Sequence, residues 1–317
     1  MIVLLLQIIN QIDFHHFNRA YFISIFKKLI KTDTMLRNIL VPIDFSANAL
    51  RSALYAVSIA EKSKATIHLL HVIEPVTESI RQPFPLQEKL EVEITKNRIR
   101  ELNEFQQHLA ALHPGISMKS ETENGMTIPS ILHVARKKKV DLIVMGAKGV
   151  SAIKKVFMGS ITAGIISRTH IPVLAVPDEY IAEIPDGILL ATCHFEKSKS
   201  LLKTIADLAS LFKTKVHVAV FLDTDTYTPS NYLFNQKKLN RYIHYLKKIY
   251  PDILFTGEIL EGTDFDKTLT TYYKTNALDI IAMITYPKSF WEKLFQKSRT
   301  KKTVFKSAIP VLAIPST

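Results

Sequence analysis

Cysteine is nearly absent from this chain of 317 residues, in which Cys193 is the only one. An intramolecular disulfide is therefore impossible, which fits a reducing compartment such as the cytoplasm. The cysteine and the histidines show no spacing typical of metal ligands. Two phosphate-binding patterns, Gly-x4-Gly-Lys-Ser/Thr and Gly-x-Gly-x-x-Gly, are also missing. Their absence argues against a P-loop motor and against a Rossmann dehydrogenase.

Long apolar runs are missing as well. The chain opens with Met-Ile-Val-Leu-Leu-Leu, but Gln7, Asn10 and Asp13 interrupt the run before it could span a membrane. No Lys or Arg precedes it and no small-residue cleavage site is clear, so we do not predict a signal peptide. One interpretation of residues 1–34 is an amphipathic segment that lies on a membrane surface.

Charge is plentiful but uneven. The net charge is +12, and residues 187–317 carry 19 basic and 11 acidic side chains. Such an excess can attract nucleic acid, anionic lipid or nucleotides. A solvated basic surface is the simpler explanation, and we expect neither nucleic acid nor a membrane as a partner.

Apolar strands alternate with helical patterns from residue 38 onwards. The pattern predicts strands at 38–43, 65–72, 116–123, 140–145 and 172–176, with helices at 46–62, 85–112, 127–138 and 160–168 between them. Alternation of this kind is typical of parallel βαβ units in an α/β fold. In a doubly wound parallel sheet with strand order 3-2-1-4-5, a crevice opens between the carboxyl ends of strands 1 and 4.

A glycine-rich segment follows the fourth predicted strand. Gly146 comes directly after the apolar run, two residues separate it from Gly149, and nine residues separate Gly149 from Gly159, which stands beside Ser160. Glycine lets the backbone turn tightly and approach a ligand closely. Ser160 is a favourable N-cap residue, and the first N–H groups of a helix can bind an anion. The segment therefore predicts a phosphate cradle.

The spacing Gly-x2-Gly-x9-Gly-Ser resembles the ATP-binding signature of the universal stress protein family. Gly159-Ser-Ile-Thr and Ile171-Pro-Val-Leu-Ala-Val-Pro also stand in family positions. The resemblance implies a universal stress protein-like fold, similar to adenine nucleotide alpha hydrolases, and ATP as the ligand, with or without Mg²⁺. Family members usually begin as the chain does at Met35, so we interpret residues 1–34 as an over-extended N-terminus and 35–177 as an ATP-binding domain.

The predicted nucleotide site gathers backbone donors, one cation, one carboxylate and an apolar floor. Backbone N–H groups would hold the phosphates, with hydroxyls and a lysine beside them, and the carboxylate would serve a ribose hydroxyl or the adenine amino group. The resemblance adds a second-strand residue, Val72, at the adenine. The predicted residues are Pro42, Ile43, Asp44, Val72, Met145, Gly146, Lys148, Gly149, Gly159, Ser160, Ile161 and Thr162. The alternative for the carboxylate is a charge or cap at the start of the first helix.

The second half of the chain repeats the first. Residues 178–186 form a predicted linker, after which Ile188-Leu-Leu-Ala-Thr-Cys-His matches Ile39-Leu-Val-Pro-Ile-Asp-Phe at an offset of 149. Leu278-Asp-Ile-Ile-Ala-Met matches Val140-Asp-Leu-Ile-Val-Met at an offset of 138. We therefore predict two tandem copies of one domain, the second spanning residues 187–317.

The second copy has lost the motif. Cys193 stands in place of the aspartate, and Ile284, Pro287 and Lys297 stand in place of the three glycines. Side chains there would occupy the space that phosphate needs, and proline also lacks an N–H group. We predict a degenerate second domain.

These observations predict a cytoplasmic tandem universal stress protein that binds ATP in stress response and signalling. No nucleophile–base pair is evident, so we do not expect an enzyme. The alternatives are a slow ATPase or autokinase that uses the same site, and a nucleotide-free interaction scaffold. A protein partner or self-association is a further expectation. The short apolar strands 173–176 and 311–314 are equivalent, and we expect them to pair and join the two halves.

Overall fold

Strands and helices alternate along both halves of the chain. The structure is a computed structural model, and it describes residues 36–75, 84–147, 159–181, 184–286 and 307–316. The first half contains β1 (Asn38–Pro42), α1 (Ala47–Ser63), β2 (Thr66–Ile73), α2 (Phe84–Leu112), β3 (Met118–Asn124), α3 (Thr127–Lys137), β4 (Leu142–Gly146), α4 (Ser160–Ile166) and β5 (Val173–Val176). The second half contains β6 (Gly187–Ala191), α5 (Lys199–Phe212), β7 (Lys215–Asp223), α6 (Pro229–Ile249), β8 (Phe255–Gly262), α7 (Phe265–Thr275), β9 (Ile280–Thr285) and β10 (Val311–Pro315). The predicted segment 1–34 lies outside the described residues.

The ten strands of the described residues belong to one sheet, in the order β3-β2-β1-β4-β5-β10-β9-β6-β7-β8. Within each half the strands are parallel and the order is 3-2-1-4-5, counted from the first strand of that half. The predicted fold class and strand order are therefore confirmed. The switch point of each half lies between its first and fourth strands, where their connections leave in opposite directions.

The two halves join edge to edge. Strand β10 pairs with β5 in an antiparallel register that places Leu312 opposite Leu174. Both leucines are fully buried. The pairing expected of these equivalent strands is confirmed, and it covers an edge that each half would otherwise leave open.

The two faces of the sheet carry different helices. Helices α1, α2, α5 and α6 contribute to one buried cluster that receives residues from both halves. On the other face, α3 and α4 cover the first half and α7 covers part of the second, in two separate clusters. Alternate residues of a strand point to opposite faces, so Val41 enters the shared cluster while Leu40 enters that of the first half.

Local backbone geometry repeats between the halves. The first helix of each half ends at a lysine with positive φ, Lys64 at 61° and Lys213 at 55°. An aspartate before the fourth strand accepts the backbone N–H of the residue that precedes the first strand: Asp141 accepts from Arg37 at 2.8 Å, and Asp279 accepts from Asp186 at 2.7 Å. These pairs have the offsets of 149 and 138 found in the sequence, so the turns repeat along with the strands.

Candidate functional site

The switch point of the first half lies where β1 and β4 end side by side. The parallel register pairs Leu40 with Ile143, which places Pro42 level with Met145 and Ile43 level with Gly146. The ladder on the other side of β1 continues one residue past the strand, because the Ile43 N–H donates to the Leu70 carbonyl at 2.8 Å. Three strand ends, those of β2, β1 and β4, therefore form the floor of the crevice.

Two hydrogen bonds fix the start of α4 against the end of β4. The Gly159 N–H donates to the Ala147 carbonyl at 2.6 Å, and the Thr162 hydroxyl donates to the Gly146 carbonyl at 2.8 Å. Thr162 is buried, with 2% of its surface exposed. The glycine-rich segment is therefore closed at its base, so its two ends meet at the crevice. Lys148 and Gly149 lie outside the described residues.

These bonds correct two details of the predicted phosphate cradle. The N–H of Gly159 and the hydroxyl proton of Thr162 are already donated to backbone carbonyls at and just after the end of β4, so neither is available to a phosphate in this arrangement. Thr162 instead positions the helix. The backbone N–H groups of Ser160 and Ile161 lie in the first turn of α4, where helix geometry supplies no intrahelical acceptor.

The N-cap of α4 is Gly159, whereas the sequence predicted Ser160. Gly159 has extended angles, φ −65° and ψ 148°, and its carbonyl accepts from the Ala163 N–H at 3.0 Å. Ser160 is therefore the first helical residue, and it is exposed. The prediction failed because side-chain preference favours serine as the cap, while the bond from Gly159 to β4 fixes the helix start one residue earlier.

Asp44 lies on the crevice rim at the end of β1. Its side chain is exposed, and Oδ1 accepts from the Ser46 hydroxyl at 2.6 Å and from the Ser46 N–H at 3.0 Å. The Ser46 oxygen in turn accepts from the Ala49 N–H at 3.1 Å and caps α1. Asp44 thus orients the cap of α1, which is part of the structural role considered for it, while it remains at the rim where a nucleoside could contact it.

The predicted apolar floor is divided between the two faces of the sheet. Val72 and Met145 both pack with the cluster under α3 and α4, and Pro42 shares their face by strand alternation. Ile43 packs in the opposite cluster, under α1 and α2. A base stacked over the crevice could contact the first three residues, whereas Ile43 supports the floor from behind.

An aromatic group beside Asp44 was not found from the sequence. Phe45 has a positive φ of 61° and packs against the His71 ring, with 4.6 Å between ring centroids. The Arg98 guanidinium lies 5.8 Å from the Phe45 centroid. His71 donates from Nδ1 to the Ile43 carbonyl at 2.7 Å, and burial lowers its pKa. His71 is therefore held by a backbone hydrogen bond and an aromatic contact. No sequence signal marks the left-handed turn that brings Phe45 to it.

The switch point of the second half has the same strand ends and different chemistry. Ile284 follows Met283 in β9 at the position of Gly146, and it is buried. Cys193 is exposed at the position of Asp44. Pro287 and Lys297 lie outside the described residues. The described part of the second copy therefore lacks the carboxylate and the first glycine of the motif.

The described residues hold no group of three or more His, Cys, Asp or Glu side chains placed to bind a metal ion. Among the same residues, no helix combines the length and the apolar character needed to cross a bilayer.

The sheet order and the crevice define the class: a doubly wound α/β protein with two switch points in one continuous sheet. Comparison with known proteins identifies the family. The sequence model described as "Universal stress protein family" matches residues 35–177. A universal stress protein of Thermus aquaticus is 30% identical over 142 residues, which are 45% of this chain and 99% of that protein. The chain belongs to the universal stress protein family.

Two further relatives extend the comparison. A universal stress protein of Methanocaldococcus jannaschii is 28% identical over 144 residues, 45% of this chain and 84% of that protein. The crystal structure of a universal stress protein from Archaeoglobus fulgidus covers 88% of this chain and 98% of its own, at 18% identity and a TM-score of 0.62. That structure shares the fold across both halves.

Proposed function

We propose that the first half binds one ATP molecule at its switch point, and that this binding serves a stress signal rather than metabolic turnover. The observation that carries the proposal is the closed base of the glycine-rich segment, which holds the start of α4 next to the ends of β1 and β4. The Ser160 and Ile161 N–H groups would face the phosphates, with Gly149 and Lys148 in the same loop.

The adenosine would occupy the other side of the crevice. Its base would contact Val72, Met145 and Pro42, and a ribose hydroxyl or the adenine amino group would donate to Asp44. A carboxylate suits these donors and would repel phosphate, so the molecule has one favoured direction in the crevice. Mg²⁺ could accompany the phosphates, because it commonly bridges them and is held by few protein ligands.

The same proposal assigns the domains. Residues 35–177 are the ATP-binding universal stress domain, 178–186 the linker and 187–317 a degenerate second domain. The second domain binds no nucleotide, because Ile284 occupies the position of the first glycine and Cys193 that of the carboxylate. The protein acts in the cytoplasm, with a protein partner that reads the nucleotide state.

A slow ATPase or autokinase would use the same site, and a scaffold would use none. Catalysis needs a base within about 3 Å of the attacking group. His71 is the imidazole next to Asp44, and its Nδ1–H is donated to a backbone carbonyl. The geometry therefore favours binding over turnover.

Calorimetry with ATP tests the proposal directly. We expect a stoichiometry near one per chain, and protein that is purified gently and then denatured should release adenine nucleotide. Two sites per chain would contradict the assignment of the second half, and absence of binding would favour the scaffold. Incubation with radiolabelled ATP distinguishes binding from catalysis by a slow ATPase or autokinase. Labelled phosphate on the protein, or its steady release, would contradict binding without turnover.

A further inference from the structure

A cavity of about 220 Å³ lies at the switch point of the second half, where the nucleotide motif is broken. Its walls come from the strand ends of β6, β7, β8 and β9 and from α7. The apolar part of the lining includes Ala219, Phe221, Leu260, Phe265, Leu269 and Met283. Phe221 and Phe265 meet edge to face with 5.2 Å between ring centroids, so the wall is aromatic at one end.

The small side chain of Ala219 contributes to the cavity. Ala219 is in register with Ala191, as Leu70 is with Pro42 in the first half, so the two halves differ by leucine against alanine at this point. Leu70 is fully buried in the cluster under α3 and α4. Folded interiors are packed with few voids larger than a water molecule, so a hollow of this size at an equivalent position is a site candidate.

The polar part of the lining converges on one carboxylate. Glu196 accepts from the Thr192 hydroxyl at 2.8 Å through Oε2 and from the Tyr286 hydroxyl through Oε1. His194 packs edge to face on the Tyr286 ring at 4.9 Å. Burial and the bond to Glu196 raise the pKa of Tyr286, which keeps it neutral and donating. A carboxylate can accept about four hydrogen bonds, so Glu196 can also receive one from a ligand.

The charges exclude a nucleotide. At the offsets of the repeat, Asp44 and Lys148 of the first half correspond to Cys193 and Tyr286, so the cation has been replaced by an aromatic side chain. The described lining contains no Lys or Arg, and it contains Glu196. Among these described residues, a phosphate group would meet the negative charge of Glu196 and no compensating cation.

We propose that the second half binds a small uncharged aromatic molecule of one or two rings that donates a hydrogen bond to Glu196. A dry apolar cavity of about 150 Å³ holds benzene, so this larger one suits a slightly larger ring system. The rings would lie against Phe221, Phe265 and Met283, with the donor directed to the mouth. The inference does not depend on ATP binding in the first half.

Indole and benzofuran form a matched pair of probes, because benzofuran has nearly the same shape and replaces the N–H donor by oxygen. Ligand-observed NMR on the full chain measures the affinity of each. Cys193 lies in the lining and is the only cysteine, so its rate of reaction with a thiol reagent gives a second readout. We expect indole at millimolar concentration to bind, to slow the labelling of Cys193 at least threefold, and to bind at least fivefold tighter than benzofuran.

Ala219→Leu restores the residue of the first half and should lower indole affinity at least tenfold. Val218→Leu is the matched control, because Val218 is the adjacent residue and packs in the cluster on the opposite face; it should leave the affinity unchanged. Failure of indole to bind at about 5 mM, equal affinity for benzofuran, or competition by ATP would overturn the proposal. If Ala219→Leu does not fold, the probe pair on the unmodified chain still decides it.

Discussion

The two switch points of the sheet share a frame and differ in what fills them. Asp141 and Asp279 brace the first strand of each half in the same way, and Lys64 and Lys213 end the first helix with the same turn. The crevice residues differ, with glycine against isoleucine in the fourth strand. The contacts that hold the strands are thus separate from the groups that would touch a ligand, so one site can change while its frame persists.

The largest effect is expected at the seam that joins the halves. Leu174→Ala and Leu312→Ala each remove a fully buried side chain, which costs about 2–5 kcal/mol of unfolding free energy. Because the two leucines are directly paired, the double variant should depart from additivity by about 0.5 kcal/mol or more. Urea denaturation measures the free energy of unfolding of the unmodified chain, the two single variants and the double variant. Leu69→Ala with Leu312→Ala is the control pair, since four strand spacings separate them and their effects should add.

The second effect exchanges one residue between the switch points. Gly146→Ile gives the first half the isoleucine found at position 284, a substitution that β-strand geometry tolerates well. Its side chain would occupy space near the phosphates, and we expect ATP affinity to fall at least tenfold, or about 1.4 kcal/mol. Ile284→Gly is the reciprocal change and should create no second ATP site. Unchanged affinity in a folded Gly146→Ile protein would remove this strand end from the site.

Thr162→Val tests the bond between α4 and β4. The variant keeps the shape and leaves the half-buried Gly146 carbonyl without the Thr162 donor, which should cost about 1 kcal/mol of stability and also weaken ATP binding. Thr169→Val is a matched control, because Thr169 is also buried and accepts from the Ile171 N–H away from the crevice. We expect Thr169→Val to lose about as much stability as Thr162→Val and to keep the ATP affinity of the unmodified chain. If Thr162→Val and Thr169→Val changed the ATP affinity equally, Thr162 would have no specific role in positioning α4 for the ligand.

The smallest effect concerns pH and should be alike in both halves. His68 and His217 occupy equivalent positions in β2 and β7, and burial followed by a nearby lysine charge lowers the pKa of each. A depressed histidine pKa means that the unfolded chain binds more protons, so stability is present above about pH 6.5 and declines as the pH falls below it. His68→Gln and His217→Gln should each lose less stability than the unmodified chain between pH 7.5 and 5.5 in urea denaturation. A steeper loss of stability in either variant would contradict a lowered pKa for the histidine that it replaces.

Sequence periodicity predicts the repeating frame well. The alternation of apolar strands and helices predicts the sheet order through the fold class, and Ser46 predicts the start of α1. These features depend on local preference and on a repeated pattern, both of which can be read along the chain.

The site is less predictable because its details depend on contacts between distant segments. Thr162 resembles a phosphate ligand in the sequence, but its partner is a carbonyl sixteen residues earlier. The face to which Ile43 points follows from the strand register. The cavity of the second half arises from small and large side chains on four strands and a helix. The sequence motif shows only that the glycines of the first half are replaced there, so it does not reveal the cavity.

The antiparallel pair of β5 and β10 also changes how the molecule responds to dilution. Separate domains that met through such an edge would come apart at low concentration, and their melting temperature would depend on concentration. Here residues 177–186 join the end of β5 to the start of β6, so both halves belong to one chain, and a short tether commonly sustains an effective concentration in the millimolar range. The contact is therefore unimolecular, so each chain carries one copy of each crevice whatever its abundance in the cell.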